Sequence, residues 1–402
     1  MFPGQGAQYP GMGKDLFDEF SMVRALYEQA SDIAGMDMAK LCFESDADVI
    51  NQTDRSQPAL FLTSIAAFRL YEQMGLRKPD YAIGQSLGEI TALCAAGALP
   101  FEKGFQLALE RGRVMQQAAL TQEGAMMAVI GVALEELEQM LASGDYPPGS
   151  ICISNHNSLS QYVVSGCVQS VNAAGQALKE KGKRVVPLKV NAAFHSPLMA
   201  GAQAEMARRI QSYVISEPNI PVLSNVTGQP HTDAKSIRTL LPEQIVQPVL
   251  LSKCMRYAFD QGVDVMLDIG PGISLSNLAK QSYSDMQVYA FQNDLSTLGT
   301  QTAFKVGNEG AQIPGYDIIA YLKRCQAIAV TTRNRNFENE QYQSGVIQPY
   351  RMLQEMQRRC EKEGTPLAGE DARTKAYQLL CGILDNKLVP KQEKQMLLDT
   401  LP

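Results

Sequence analysis

Over the first two-thirds of the chain, short apolar runs alternate with stretches of helical period, the pattern of an α/β architecture. In 56–76, Ala59, Leu60, Leu62, Ala66, Ala67 and Leu70 recur near helical spacing and predict a helix. Residues 79–83 read as a short strand, Leu87 to about Ala96 as a second helix, and roughly Pro100 to Ala119 as a third. Residues 124–191 read as a unit of their own. A strand (Ala125–Val132) and a helix (Leu134–Ala142) precede two strands (Ser150–Ser154, Gln161–Gly166), a helix (Val168–Lys181) and a last strand (Arg184–Val190). That β-α-β-β-α-β order is ferredoxin-like. The larger domain resumes near Ser196, with strands at 221–225 and 264–269. The expected organisation is therefore a main α/β subdomain over 1–123 and 192–292, an inserted subdomain over 124–191, a linker over 293–315 and a helical extension over 316–402. In the extension, Tyr316–Ala329, Val346–Arg359, Ala372–Leu384 and Lys391–Leu401 read as amphipathic helices.

Composition narrows the function classes. The 402 residues are 45% hydrophobic, ample for a buried core, and the length suits two or three domains of ~150 residues. Against 42 Asp and Glu stand 36 Lys and Arg, a net charge of −6, which argues against a general nucleic-acid binder. No stretch approaches the ~18 consecutive apolar residues of a membrane span. The opening Met1-Phe2-Pro3-Gly4 has neither the basic nor the apolar region expected of a signal peptide. Eight cysteines form no CxxC pair and no Cys/His spacing suited to zinc, so no metal is expected. They read as small buried hydrophobes of a protein in the reducing cytoplasm. Only His156, His195 and His231 can supply an imidazole.

Gly84-Gln85-Ser86-Leu87-Gly88 fits G-x-S-x-G between an apolar strand and a helix, the setting of a nucleophile elbow in an α/β-hydrolase-like subdomain. Such a turn needs small neighbours, because its backbone is strained and the serine must project freely. The helix N-terminus then aims free N–H groups at a developing oxyanion. Serine needs a base. His195, in Ala193-Phe194-His195-Ser196, lies where the inserted unit returns to the main subdomain, and such junctions often line clefts. His156 and His231, the latter in a polar loop, are weaker candidates.

Further segments occur in order: Phe2-Pro3-Gly4-Gln5-Gly6-Ala7-Gln8, Gln57-Pro58-Ala59-Leu60-Phe61, Gly84 to Glu89, Arg111-Gly112-Arg113-Val114-Met115-Gln116, Gly124 to Ala128, Asn155 to Ser158, Ala193 to Ser196, Ser224 to Gly228 and Asp268 to Gly272. Over residues 2–291 the chain resembles the malonyl-CoA:acyl carrier protein transacylases and the acyltransferase domains of polyketide synthases. Their motifs FPGQGxQ, QPALF, GHSxGE, RGxxMQ, GAMxA, NxNS and FHS match these segments.

The resemblance implies a ping-pong transfer of malonyl from malonyl-CoA to the phosphopantetheine thiol of an acyl carrier protein, in fatty-acid or polyketide assembly, with no cofactor. Ser86 would be the nucleophile and His195 its base, with the backbone N–H groups of Gln5 and Leu87 as oxyanion hole. A main-chain carbonyl in Gln247-Pro248-Val249-Leu250, that of Leu250, would orient His195. Arg111, 25 residues after Ser86, would bind the malonyl carboxylate, a task for which its parallel N–H donors are suited. Gln57, Gln85 and Phe194 complete the implied substrate-binding set. Phenylalanine before the histidine goes with malonyl rather than methylmalonyl.

The chain departs from the family pattern in three places. Gln85 stands where the motif has histidine, which keeps alive a rival reading as an acyl-carrier-protein hydrolase that edits stalled chains. A second rival is a non-catalytic docking protein, against which the joint presence of Ser86, His195, Arg111 and Gln5 counts. Only Met1 precedes Phe2, where the resemblance implies a β-strand; either the sheet lacks it or the numbering omits it. Residues 293–402 have no counterpart in the minimal family enzyme. Finally, Lys179, Lys181, Lys183, Arg184 and Lys189 cluster on the inserted unit, a possible docking patch for an acidic carrier protein.

Overall fold

The computed structural model describes residues 1–298, 318–336, 338–363, 369–398 and 401. Among these, eight strands form: β1 (Ala82–Ile83), β2 (Ala125–Ile130), β3 (Ile151–His156), β4 (Gln161–Gly166), β5 (Arg184–Pro187), β6 (Val222–Leu223), β7 (Val265–Asp268) and β8 (Gln287–Ala290). Two compact units result, one of residues 1–67 and 79–292, the other of 68–78 and 293–402.

In the first unit, β1 pairs with β6 and β7 with β8, both in parallel. Met1 and Phe2 lie between the two pairs. Phe2 N–H donates to Ile83 O at 2.7 Å and Gln85 N–H to Phe2 O at 3.0 Å, while Ile269 N–H donates to Met1 O at 2.8 Å. These two residues thus tie β1 to β7. Strand β1 is buried, as a parallel sheet covered by helices requires. Its short run ends at the elbow, where Gln85 already bonds the Phe2 carbonyl. The helices Thr53–Gln73, Leu87–Ala95 and Phe101–Thr121 carry the motifs that follow. This is the expected α/β class.

Residues 125–187 form a four-stranded antiparallel sheet in the order β3-β4-β2-β5. The helices Leu134–Ala142 and Val168–Glu180 cover it. Met127, Val129 and Val164 meet Leu137, Val171, Ala174 and Leu178 in one core. Strand β3 is bonded to the chain ahead of the helix Leu251–Asp260: His156 N–H donates to Val249 O and Val249 N–H to Ser154 O, each at 2.9 Å.

The second unit is helical: Ile318–Thr331, a run from Asn339 to Glu363 with a π-turn at Gln343–Ile347, Gly369–Asn386 and Lys391–Leu398. Leu322, Cys325, Ile328, Leu353, Leu380, Ile383 and Leu384 form its core. The buried ammonium of Lys387 donates to Ala329 O at 2.8 Å and Thr332 O at 2.7 Å, satisfying carbonyls at a helix C-terminus. Of the linker expected over 293–315, residues 293–298 belong to the helix Phe291–Leu298; the rest lies outside the described residues.

Candidate active site

The elbow forms because three glycines permit it. A Cβ on Gly84 would lie 1.9 Å from the Gly88 carbonyl, one on Gly88 2.1 Å from Phe2 O, and one on Gly4 2.3 Å from Gln85 O. The loop carrying Gln5 therefore packs directly on the turn carrying Ser86. Ser86 itself holds φ 53° and ψ −107°, a strained backbone for a residue with a side chain. It is the N-cap of the helix Leu87–Ala95, so the Leu87 N–H has no intrahelical acceptor. Gln5 contributes a side-chain bond to Thr53 Oγ1 at 3.3 Å.

Ser86 Oγ lies 2.8 Å from His195 Nε2. His195 also has a positive φ, 57°, in a turn where Ser196 Oγ donates back to Ala193 O at 2.6 Å. On the other side of the ring, Nδ1 donates to the carbonyl of Gln244 at 2.7 Å. This corrects the expectation of Leu250. The Leu250 carbonyl accepts from Cys254 N–H at 3.0 Å as the cap of a helix. Gln244 instead ends the helix Ala234–Glu243, where carbonyls lack intrahelical donors. The bond fixes the tautomer, leaving the Nε2 lone pair to face Ser86.

Arg111 reaches the same point from the helix Phe101–Thr121. Its guanidinium donates to Gln57 Oε1 at 2.9 Å, Gln244 Oε1 at 2.8 Å and Ser86 Oγ at 3.0 Å. Arg111 and His195 are both buried. Burial lowers Arg111 to about 10, with the Glu89 charge opposing, so it remains a cation at neutral pH. Burial, and then the Arg111 charge, lower His195 to about 3, against the pull of the Gln244 carbonyl. The resting imidazole is therefore neutral.

Besides Gln244, two residues to which sequence reasoning had assigned no role, Asn225 and Glu89, build the site, together with His231. Asn225 Oδ1 accepts from Ser86 N–H at 2.7 Å, and its Nδ2 donates to Gly84 O at 2.7 Å, clamping both ends of the turn. Glu89, one turn beyond Ser86, accepts from Gln244 Nε2 at 2.7 Å and Asn225 N–H at 3.0 Å. His231, in the polar loop, is nonetheless buried, with Nε2 2.8 Å from Glu89 Oε1. Gln85 donates to Asn157 Oδ1 at 2.8 Å, across to the four-stranded subdomain. The signal available in sequence was position alone: Asn225 and Glu89 fall inside quoted motifs, whereas Gln244 falls in none. Phe194 is buried beside His195. His156 is not brought to Ser86; it stacks edge-on against Tyr162. Among the described residues no group of His, Cys, Asp and Glu could hold a metal.

The chain matches the acyl transferase domain family over residues 1–306. It is 36% identical to the malonyl CoA-acyl carrier protein transacylase of Bacillus subtilis strain 168 over 282 residues, 70% of this chain and 89% of that one. Another Bacillus subtilis protein of that name is 30% identical over 407 residues, 99% of this chain and 98% of its own. Among solved structures, the malonyl CoA-acyl carrier protein transacylase of Coxiella burnetii is 34% identical with a TM-score of 0.70, over 72% of this chain and 92% of that one. A malonyl-transacylase in complex with its type II polyketide synthase acyl-carrier protein is 33% identical with a TM-score of 0.68, over 72% and 94%. With the acyl transferase match spanning residues 1–306, which include Ser86, His195 and Arg111, and with relatives of this identity and coverage, the chain belongs to the malonyl-CoA:acyl carrier protein transacylase family.

Proposed function

We propose that this protein moves a malonyl group from malonyl-CoA to the phosphopantetheine thiol of an acyl carrier protein through a malonyl-Ser86 intermediate. One observation carries the choice of acyl group: a buried guanidinium sits 3.0 Å from the nucleophilic oxygen, and the partners it bonds, Gln57, Gln244 and Ser86, are neutral. A buried cation held by neutral acceptors keeps its charge for an incoming carboxylate. An editing hydrolase for uncharged chains has no use for it.

In the first half-reaction His195 Nε2 takes the Ser86 proton as Oγ attacks the thioester carbonyl. The Leu87 and Gln5 N–H groups receive the oxyanion. The C–S bond breaks, and the CoA sulfur leaves with the proton from His195. In the second, the carrier thiol gives its proton to His195 and attacks the malonyl ester, and Ser86 Oγ regains the proton as its bond to the acyl carbon breaks. Gln244 O holds the imidazole in one tautomer throughout, the task a triad carboxylate performs elsewhere. Each proton moves between the chain's own residues and the two thiol partners, and the cycle calls on no cofactor or metal. Phe194 beside the base places bulk where a methyl on C2 would fit, favouring malonyl over methylmalonyl.

The exposed Lys181, Arg184 and Lys189 lie on the segment leading to His195, a surface suited to an acidic carrier protein, while Lys183 is already paired with Glu136 at 2.7 Å. The eight free cysteines suit a cytoplasmic location.

Intact-protein mass spectrometry after mixing with malonyl-CoA tests the reading. A malonyl adduct that is absent in Ser86→Ala and passes to added holo carrier protein is expected. No adduct, with free acid released from acyl carrier proteins instead, would sink it in favour of the hydrolase.

A further inference from the structure

The cation beside Ser86 is held by amide oxygens, and an amide can present either its oxygen or its nitrogen. The Gln244 NH2 group faces three acceptors, Glu89 Oε2 at 2.7 Å, Ser86 O at 3.1 Å and Asn225 Oδ1 at 3.3 Å, and of these Glu89 is the shortest and the one that carries charge. A carboxylate only accepts hydrogen bonds. Glu89 Oε2 therefore draws the NH2 group of Gln244 to itself at 2.7 Å, and the Gln244 oxygen must then face Arg111, at 2.8 Å. The Glu89 carboxylate is fully buried, and N–H groups surround it: Asn225 N–H at 3.0 Å on the same oxygen and His231 Nε2 at 2.8 Å on the other. It bonds those groups rather than Arg111, to which it contributes only a longer-range charge.

We infer that Glu89, anchored by His231, is a positioning residue for acyl selection: it fixes the Gln244 amide so that Arg111 is aimed at the nucleophile without being neutralised. The inference rests on the transferase reading above, since it concerns how that site holds its cation. A carboxylate in direct contact with Arg111 would quench the charge needed for the substrate. A neutral residue in place of Glu89 would leave only the longer bonds to Ser86 O and Asn225 Oδ1 to keep the Gln244 NH2 group from turning toward the guanidinium, where donor would meet donor. Placing the anion one amide away avoids both. The same Gln244 supplies the carbonyl for His195 from its backbone, so its side chain can be altered while that bond is kept.

The test measures the ratio of Ser86 malonylation to acetylation rates, by intact mass, in the full-length wild type, Glu89→Gln and Gln244→Met. Gln244→Met removes the directed amide and retains the carbonyl for the base, and it carries the test should Glu89→Gln fail to fold. Loss of general packing would slow both acylations together. Loss of Arg111 positioning lowers the malonyl-to-acetyl ratio, by about tenfold or more for a buried donor left without its acceptor. An unchanged ratio in the folded variants, with Ser86 still malonylated, overturns the role of Glu89. A wild type that accepts no malonyl group overturns the transferase reading, and the substrate named here with it.

Discussion

Arg111→Met isolates the contribution of the charge. The substitution keeps a long side chain on the helix Phe101–Thr121 and removes every donor. In the wild type, the two outer nitrogens of the guanidinium can meet a malonyl carboxylate as a fork. Hydrogen bonds to charged groups are worth ~1.5–3 kcal/mol each, so two of them give ~3–6 kcal/mol. Allowing for the bonds to Gln57 and Gln244 that the site already makes, we take the lower half of that range. Losing it lowers kcat/KM for malonyl-CoA by about 10²- to 10³-fold. Acetyl-CoA carries no carboxylate and loses none of this, so the malonyl-to-acetyl ratio falls by at least the same factor. The variant has a second signature. The Arg111 charge is the second cause that lowers His195, after burial. Without it the imidazole becomes more basic, and the acid limb of the acylation profile moves to higher pH. Single-turnover acylation, quenched and read by intact mass with each thioester across pH, measures both. A variant that keeps the wild-type ratio within about threefold would refute the assignment of Arg111 to the carboxylate.

Because His195 is held near 3 in the folded protein, kcat/KM for acylation, which reports the free enzyme, is expected to stay level from pH 8 to pH 5; a fall with a midpoint near 6.5 would contradict it. The same shift makes acid destabilising. Between 6.5 and about 3 the unfolded chain binds a proton that the native state does not, so stability falls as pH drops through 6.5, by ~1.4 kcal/mol per unit from this one group. Urea midpoints at pH 7 and pH 5 check the sign. Gly88→Ala drives a methyl to 2.1 Å from the Phe2 carbonyl, a backbone atom that cannot swing aside. A destabilisation of ~3 kcal/mol or more is expected, seen as a lowered melting temperature together with lost acylation.

The fold was largely legible because its pattern is periodic. The helix Leu134–Ala142 and the strand Gln161–Gly166 have the bounds that apolar spacing predicts. Strands β1 and β6 are shorter than the segments predicted for them, and β8 was missed, because a four-residue, partly buried strand carries little periodicity. At the site, Ser86, His195 and Arg111 were legible because their chemistry resides in side chains with fixed motif positions. Gln244 was not. Its part for His195 is played by a backbone carbonyl, which every residue has, and its side chain matters only through where the helix Ala234–Glu243 ends. His231 lies in a segment that reads as a polar loop, yet it is buried and bonded to Glu89, 142 residues away, a contact that its neighbours in sequence do not signal.

The two halves of the site are coupled through one guanidinium. With no substrate, Arg111 lies beside both Ser86 and His195, its charge unopposed by any bonded carboxylate, and burial, and then that charge, keep the base weak. A malonyl carboxylate arriving on Arg111 cancels that charge locally, and the imidazole gains basicity at the moment when it must take the Ser86 proton. An acetyl group leaves Arg111 bare and the base weak. With Arg111 in the role proposed above, selection for the dicarboxylic acyl group would be exerted twice, once in holding the carboxylate and once in the proton transfer. Gln85 suits this arrangement. It puts a neutral amide, bonded to Asn157, next to the nucleophile, so no second titrating group there competes with the signal from Arg111 to His195.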